Sequence, residues 1–121
     1  MYLAHVLSKD ARKTILDKFP PKFPDVIAHH VTIKIGVSTS EKIPSPAKVT
    51  VIGYIKDESL EALVVTVNDK KFRPDGKRYH ITLSLDRSKG RTPAQSNALI
   101  LTKVFDTVTP FEIKTTPELS K

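Results

Sequence analysis

Val26-Ile27-Ala28-His29-His30-Val31-Thr32-Ile33-Lys34-Ile35-Gly36-Val37 and Tyr79-His80-Ile81-Thr82-Leu83-Ser84-Leu85 are the two stretches that decide the reading of this chain. Both alternate in polarity and are rich in β-branched residues, which predicts strands over 26–37 and 79–85. Side chains of a strand point alternately to its two faces, so His30, Thr32 and Lys34 share one face while Val31, Ile33 and Ile35 share the other. The same parity groups His80, Thr82 and Ser84 against Ile81, Leu83 and Leu85. Each strand would turn its apolar face to a core and offer an imidazole and a hydroxyl, about 7 Å apart along the backbone, to something else. His29 falls on the core-facing parity beside Val31, and His5 on that of Leu3 and Leu7; both are expected to be structural histidines.

Outward from these strands, the pattern predicts a single α+β domain over 1–121. Tyr2 to Leu7 reads as an opening strand. Ser8 can cap a helix from Lys9 to Phe19, where Ala11, Ile15, Leu16 and Phe19 recur at helical spacing before Pro20-Pro21 forbids continuation. Residues 20–25 form an extended connection and 38–47 a loop. Lys48 to Lys56 and Leu60 to Val67 predict two more strands, turned at Asp57-Glu58-Ser59. Thr92-Pro93-Ala94-Gln95 has the form of a capping box with proline at the first helical position, opening a helix to Leu101 or Lys103. Phe111 to Lys114 is a candidate short last strand, and 115–121 reads as a frayed tail.

Composition removes several function classes. The 121 residues include no cysteine, which excludes disulfides, thiolate metal sites and a cysteine nucleophile and makes the cytoplasm the expected compartment. No apolar run approaches the length of a membrane span, and the first residues lack the pattern of a signal peptide. Net charge is +7, and residues 70–91 hold eight basic and two acidic groups, so nearly the whole excess lies in one segment. That points to an anionic partner, against the plain alternative of a solvated lysine-rich face. Aromatic residues are too sparse for an extended base-stacking platform, and a small anion site fits better.

If the two strands turn their polar faces to one cleft, two imidazoles and two hydroxyls surround a volume the size of a phosphate. That set is sufficient for phosphodiester cleavage without a metal or other cofactor. One neutral imidazole of the pair His30 and His80 takes a proton from the attacking oxygen, and the other, as imidazolium, gives one to the leaving oxygen. The residues do not say which is which. Thr32 and Thr82 would donate to the non-bridging oxygens, where charge accumulates, and as exposed cleft hydroxyls they should be dispensable for folding. Lys34, Lys77 and Arg78 lie beside the motifs, with Tyr79 and Ser84 as further substrate contacts. Lys89 and Arg91 lie on a loop leading to a helix N-terminus, which favours anions. A metal site from His29, His30 and His80 is the rival, disfavoured because adjacent histidines in a strand point apart and no carboxylate has suitable spacing.

His30-Val31-Thr32-Ile33 and His80-Ile81-Thr82-Leu83 resemble the paired His-hydrophobic-Thr/Ser-hydrophobic motifs of the two-histidine phosphoesterase superfamily. Its members include RNA 2′,3′-cyclic phosphodiesterases and enzymes that hydrolyse 2′–5′ or cyclic oligonucleotides. The order of elements is also similar, although the motifs are only 50 residues apart and the chain is short. The resemblance implies a bilobal fold, two antiparallel-sheet lobes with flanking helices around a central cleft, and His30, Thr32, His80 and Thr82 as the site. It implies hydrolysis of 2′,3′-cyclic phosphates on RNA ends or nucleotides, with a 2′-phosphate as product. Two alternatives stand beside it: hydrolysis of a small 2′–5′ or cyclic oligonucleotide signal, as in viral counter-defence, and a non-catalytic RNA-binding module that uses the basic segment.

Overall fold

The computed structural model describes residues 1–120, which form an α+β fold of two antiparallel sheets and two helices. β1 (Tyr2–Leu7) is the middle strand of a three-stranded sheet, between β3 (His30–Ile35) and β8 (Thr115–Ser120). The five-stranded sheet has the order β2 (Asp25–Val26), β6 (His80–Leu85), β5 (Leu60–Val67), β4 (Val49–Lys56), β7 (Asp106–Ile113). Its central strand, β5, is almost wholly apolar because both of its faces are covered. One face carries α1 (Lys9–Lys18), whose Ala11 and Ile15 join Leu63, Val65, Ile81 and Leu83 in the larger core. The other carries α2 (Ser96–Thr102), whose Leu99 joins Ala62, Val64 and Leu85. The larger core runs on under the three-stranded sheet through Leu7 and Val31, so α1 bridges both sheets.

Local chemistry sets the helix ends. Ser8 accepts from the Ala11 amide at 3.1 Å and starts α1. The side chain of Gln95 accepts from the Thr92 amide at 3.0 Å, closing a short 3-10 turn (Pro93–Gln95) that leads into α2. β4 is bulged at Ile52, and a Cβ on the next residue, Gly53, would overlap the Phe105 ring.

Three expectations fail here for identifiable reasons. The strand over 26–37 is two strands in different sheets. Ile27 and Ala28 donate to Leu83 O and Thr82 O, each at 2.9 Å, and Ala28 then takes a positive φ of 41° that turns the chain off the edge of β6 and onto β1. The expected frayed tail is β8, because β1 has a second edge of unpaired backbone groups and Tyr2 to Leu7 pair with Thr115 to Ser120; Pro117 is tolerated on this outer strand. Residue 121 lies outside the described residues. The short strand predicted at Phe111 is the end of a longer one, Asp106–Ile113, paired with β4.

His5 is buried as its parity with Leu3 and Leu7 implies, and its Nδ1 has no hydrogen-bond partner. Burial holds its pKa below the ordinary 6.5. A histidine kept neutral in the fold but protonated in the unfolded chain costs stability as pH falls below about 6.5. His5→Leu removes both the unpaired atom and this linkage. It is expected to raise stability by about 1 kcal/mol at pH 7, with a larger gain at pH 5. Denaturant titrations at the two pH values check this, and an equal or smaller gain at pH 5 counts against it.

Candidate active site

β3 and β6 become neighbours because the chain passes directly from the edge of β6 to the edge of β1. Leu7 N donates to His29 O at 2.9 Å at the end of that passage, and Arg12 Nε caps Ala28 O at 3.1 Å from α1. The polar faces of the two motifs then line one cleft of about 250 Å³, which takes in His30, Thr32, His80 and Thr82. The two His-x-Thr pairs, distant in sequence, are brought together.

A β-bulge follows the threonine in each motif. On β3, Ala4 pairs with Thr32 and Leu3 with Lys34, leaving Ile33 as the extra residue. On β6, Ala62 pairs with Thr82 and Glu61 with Ser84, leaving Leu83 as the extra residue. An extra residue reverses the parity beyond it. Lys34 is therefore not in the cleft; it lies opposite Leu3 and pairs with Glu41 at 3.1 Å, and Ile35 lines the cleft in its place. Ser84 likewise leaves the cleft face. It is fully buried and donates to Glu61, which also accepts from the Tyr54 hydroxyl and, at 2.9 Å, from Lys22 N.

Other expected contacts are placed elsewhere. Lys77 lines the cleft, whereas Tyr79, on the parity opposite to His80, is buried in the larger core. Arg78 turns away, its guanidinium 5.8 Å from the Phe72 ring centre and 5.7 Å from that of Phe105. Arg91 is held by Asp57 and Ser59 and ties the β4–β5 turn to α2's approach rather than facing an anion. The contacts of Arg91 and Asp57 follow from folding two loops together, which no local pattern announces. Lys89 lies exposed on a 3-10 turn outside the cleft. With Arg73 paired to Asp75 as well, two of the eight basic groups in residues 70–91 are held in ion pairs within the fold.

Arg73, Tyr2 and Asn97 also line the cleft. Arg73 is buried, and Asp75 holds it through both carboxylate oxygens while lowering its own pKa by that bond. Its charge belongs to the basic segment, but nothing local marks it as inward-facing. Tyr2 is opposite Ile35 on β1, and its ring centre lies 4.9 Å from that of His30 with the planes tilted by 33°. Asn97 comes from α2, which closes the far wall with Pro93 and Ala94.

Each imidazole is anchored through Nδ1. His80 Nδ1 lies 3.0 Å from the Arg78 carbonyl, which can only accept, so Nδ1 carries hydrogen and Nε2 is the nitrogen left for chemistry. His30 Nδ1 lies 2.9 Å from His29 Nδ1. His29 is thus exposed and bonded to its neighbour, not packed in the core. It is in the passage between strands, where strand alternation does not apply, and the two adjacent rings meet. Burial, followed by the nearby His29 and His80, pushes the His30 pKa down to about 4. Burial and, more weakly, Arg73 lower that of His80, while the bond to Arg78 O works in the opposite direction. Among the described residues, no three His, Asp or Glu side chains converge in a metal-binding group.

The threonines differ. Thr82 Oγ1 is buried, 3.2 Å from Pro93 O and 2.9 Å from Ser96 Oγ, and links β6 to α2. It is not the freely exposed cleft hydroxyl that alternation suggests. Thr82→Ala should therefore lower stability by about 1–3 kcal/mol through the groups it leaves unpaired, whereas Thr32→Ala should cost well under 1 kcal/mol. Equal losses in denaturant titrations would contradict the assignment. Comparison of the chain with family models, curated proteins and solved structures gives no match.

Proposed function

We propose that the chain is a metal-independent phosphodiesterase of the two-histidine type, hydrolysing 2′,3′-cyclic phosphates of RNA ends or nucleotides, with the two sheets as its two lobes. The observation that supports this most is the meeting of two His-x-Thr pairs across one small cleft, each followed by a bulge at the same position of its motif. Local pseudo-symmetry of this kind suits a phosphate gripped from two sides.

The proposed reaction needs one proton acceptor and one donor. Water attacks phosphorus and loses a proton to Nε2 of one imidazole; the P–O3′ bond breaks, and O3′ receives a proton from the other. We assign His30 as the base and His80 as the acid. Burial lowers the pKa of both rings, but the Arg78 carbonyl bonded to His80 Nδ1–H works against it there, whereas the neighbouring His29 and His80 add to it at His30. Thr32, Thr82, Lys77 and Arg73 would hold the charge on the non-bridging oxygens. For Thr82 to donate there, its proton leaves Pro93 O, and Ser96 Oγ–H donates to Thr82 Oγ1 instead. The product is a 2′-phosphate. An oligonucleotide signal would use the same groups, and a cytoplasmic setting accords with the absence of cysteine.

Incubation with nucleoside 2′,3′-cyclic phosphates and a cyclic-phosphate-ended oligonucleotide in excess chelator tests the reading. Turnover should persist in chelator and fall by about 10²–10⁴-fold in either His30→Ala or His80→Ala. Both imidazoles titrate below 6.5, so kcat/KM should peak on the acid side of neutrality: it falls at low pH as His30 is protonated and at high pH as His80 loses its proton. No turnover, or turnover that rises steadily through pH 8, contradicts the proposal.

A further inference from the structure

Beside the cleft lies a second cavity, of about 590 Å³, open to solvent and different in character. Its walls are Phe72, Phe105, Ile100 and Leu101 on the apolar side, with Arg78 among them. Phe72 is 57% exposed and Leu101 86% exposed, although both are large and apolar, and Phe72 belongs to the strongly basic segment. Lys77 and Asn97 line this cavity and the cleft alike, so the two adjoin and share a wall.

Arg78 is unusual within that wall. Its guanidinium lies 5.8 and 5.7 Å from the centres of two aromatic rings, and its Nε and Nη2 are buried with no hydrogen-bond partner. Asn97 donates through Nδ2 to Ala94 O at 3.1 Å but leaves Oδ1 buried and unpaired. Unpaired buried donors and an unpaired acceptor thus accompany an apolar aromatic surface at one place. A heterocyclic base is flat and apolar on its faces and carries acceptors and donors on its edge, which matches both properties. An aliphatic or acidic occupant would match only one of them.

We propose that this second cavity receives the base of the nucleotide whose phosphodiester sits between His30 and His80, with the ribose passing over Lys77 and Asn97. The inference rests on the phosphodiesterase reading for its phosphate end, and it makes the substrate a nucleotide rather than any strained cyclic phosphate. Phe72 and Leu101 are then specificity-determining residues.

The test compares adenosine 2′,3′-cyclic phosphate with base-free ribose 2′,3′-cyclic phosphate, together with direct binding of a 2-aminopurine riboside 2′-phosphate read by fluorescence. The wild-type chain should prefer the nucleotide by about tenfold or more in kcat/KM. That preference, and the quenching of the fluorescent base, should shrink severalfold in Phe72→Ala and in Leu101→Ser. Leu101 is so exposed that its replacement leaves the fold intact, which keeps the test valid if Phe72→Ala folds poorly. Equal turnover of both substrates, with no quenching, overturns the base site and leaves the phosphodiesterase standing. Quenching that is lost in the variants without turnover of either substrate supports the base site and removes the reaction. A dimer dispersed by Leu101→Ser with nucleotide binding unchanged overturns the proposal, because the patch is then a protein contact.

Discussion

Ile27, Ala28 and His29 are the three residues on which the geometry of the cleft depends. Their backbone continues the edge of β6 by bonding to Leu83 O and Thr82 O, and then accepts from Leu7 N on β1. Between those bonds, Ala28 takes a positive φ, uncommon for a residue with a side chain, and is held there by complete burial and by Arg12 at its carbonyl. The two sheets share no backbone ladder; this passage, the Lys114 link from β7 to β8, whose carbonyl accepts from Ser8 N at 3.1 Å, and the α1 core fix one sheet against the other. A shift of one residue in it would turn His30 toward α1 and Val31 toward the cleft.

The same passage explains how far the sequence could be read. Alternation correctly groups His30 with Thr32 and His80 with Thr82, because up to the threonine each strand is regular. It fails one residue later in both motifs, where the extra residue at Ile33 or Leu83 reverses the faces and takes Lys34 and Ser84 out of the cleft. A bulge carries no glycine here and leaves no local mark; the register of the neighbouring strand creates it. Ser8, the Thr92 to Gln95 box and the strand Leu60 to Val67 were legible since each depends on neighbours within a few residues. β8 was not, since Thr115 to Ser120 is polar and becomes a strand only through the vacant edge of β1. The inward turn of Arg73 also depends on contacts made by the fold, and the sequence offered only its charge.

Burial is the feature that gives the site its chemical character. It lowers the pKa of His30 and His80, so both rings are neutral in the free protein near pH 7. A phosphate arriving between them would bring negative charge into a place of low dielectric, where it favours imidazolium far more than it would in water. Protonation and anion binding would then be coupled. Arg73, fixed by Asp75, adds a smaller effect in the same direction as burial at His80.

The most direct measurement of this account is an NMR titration of the imidazole signals of His30 and His80 against pH, with and without saturating inorganic phosphate. The free His30 midpoint should lie at about 4 and that of free His80 below 6.5, both moving upward together when phosphate binds at a single site. A free His30 that titrates at 6.5, or phosphate that moves one ring and leaves the other unchanged, would contradict the claim that the two imidazoles face one anion.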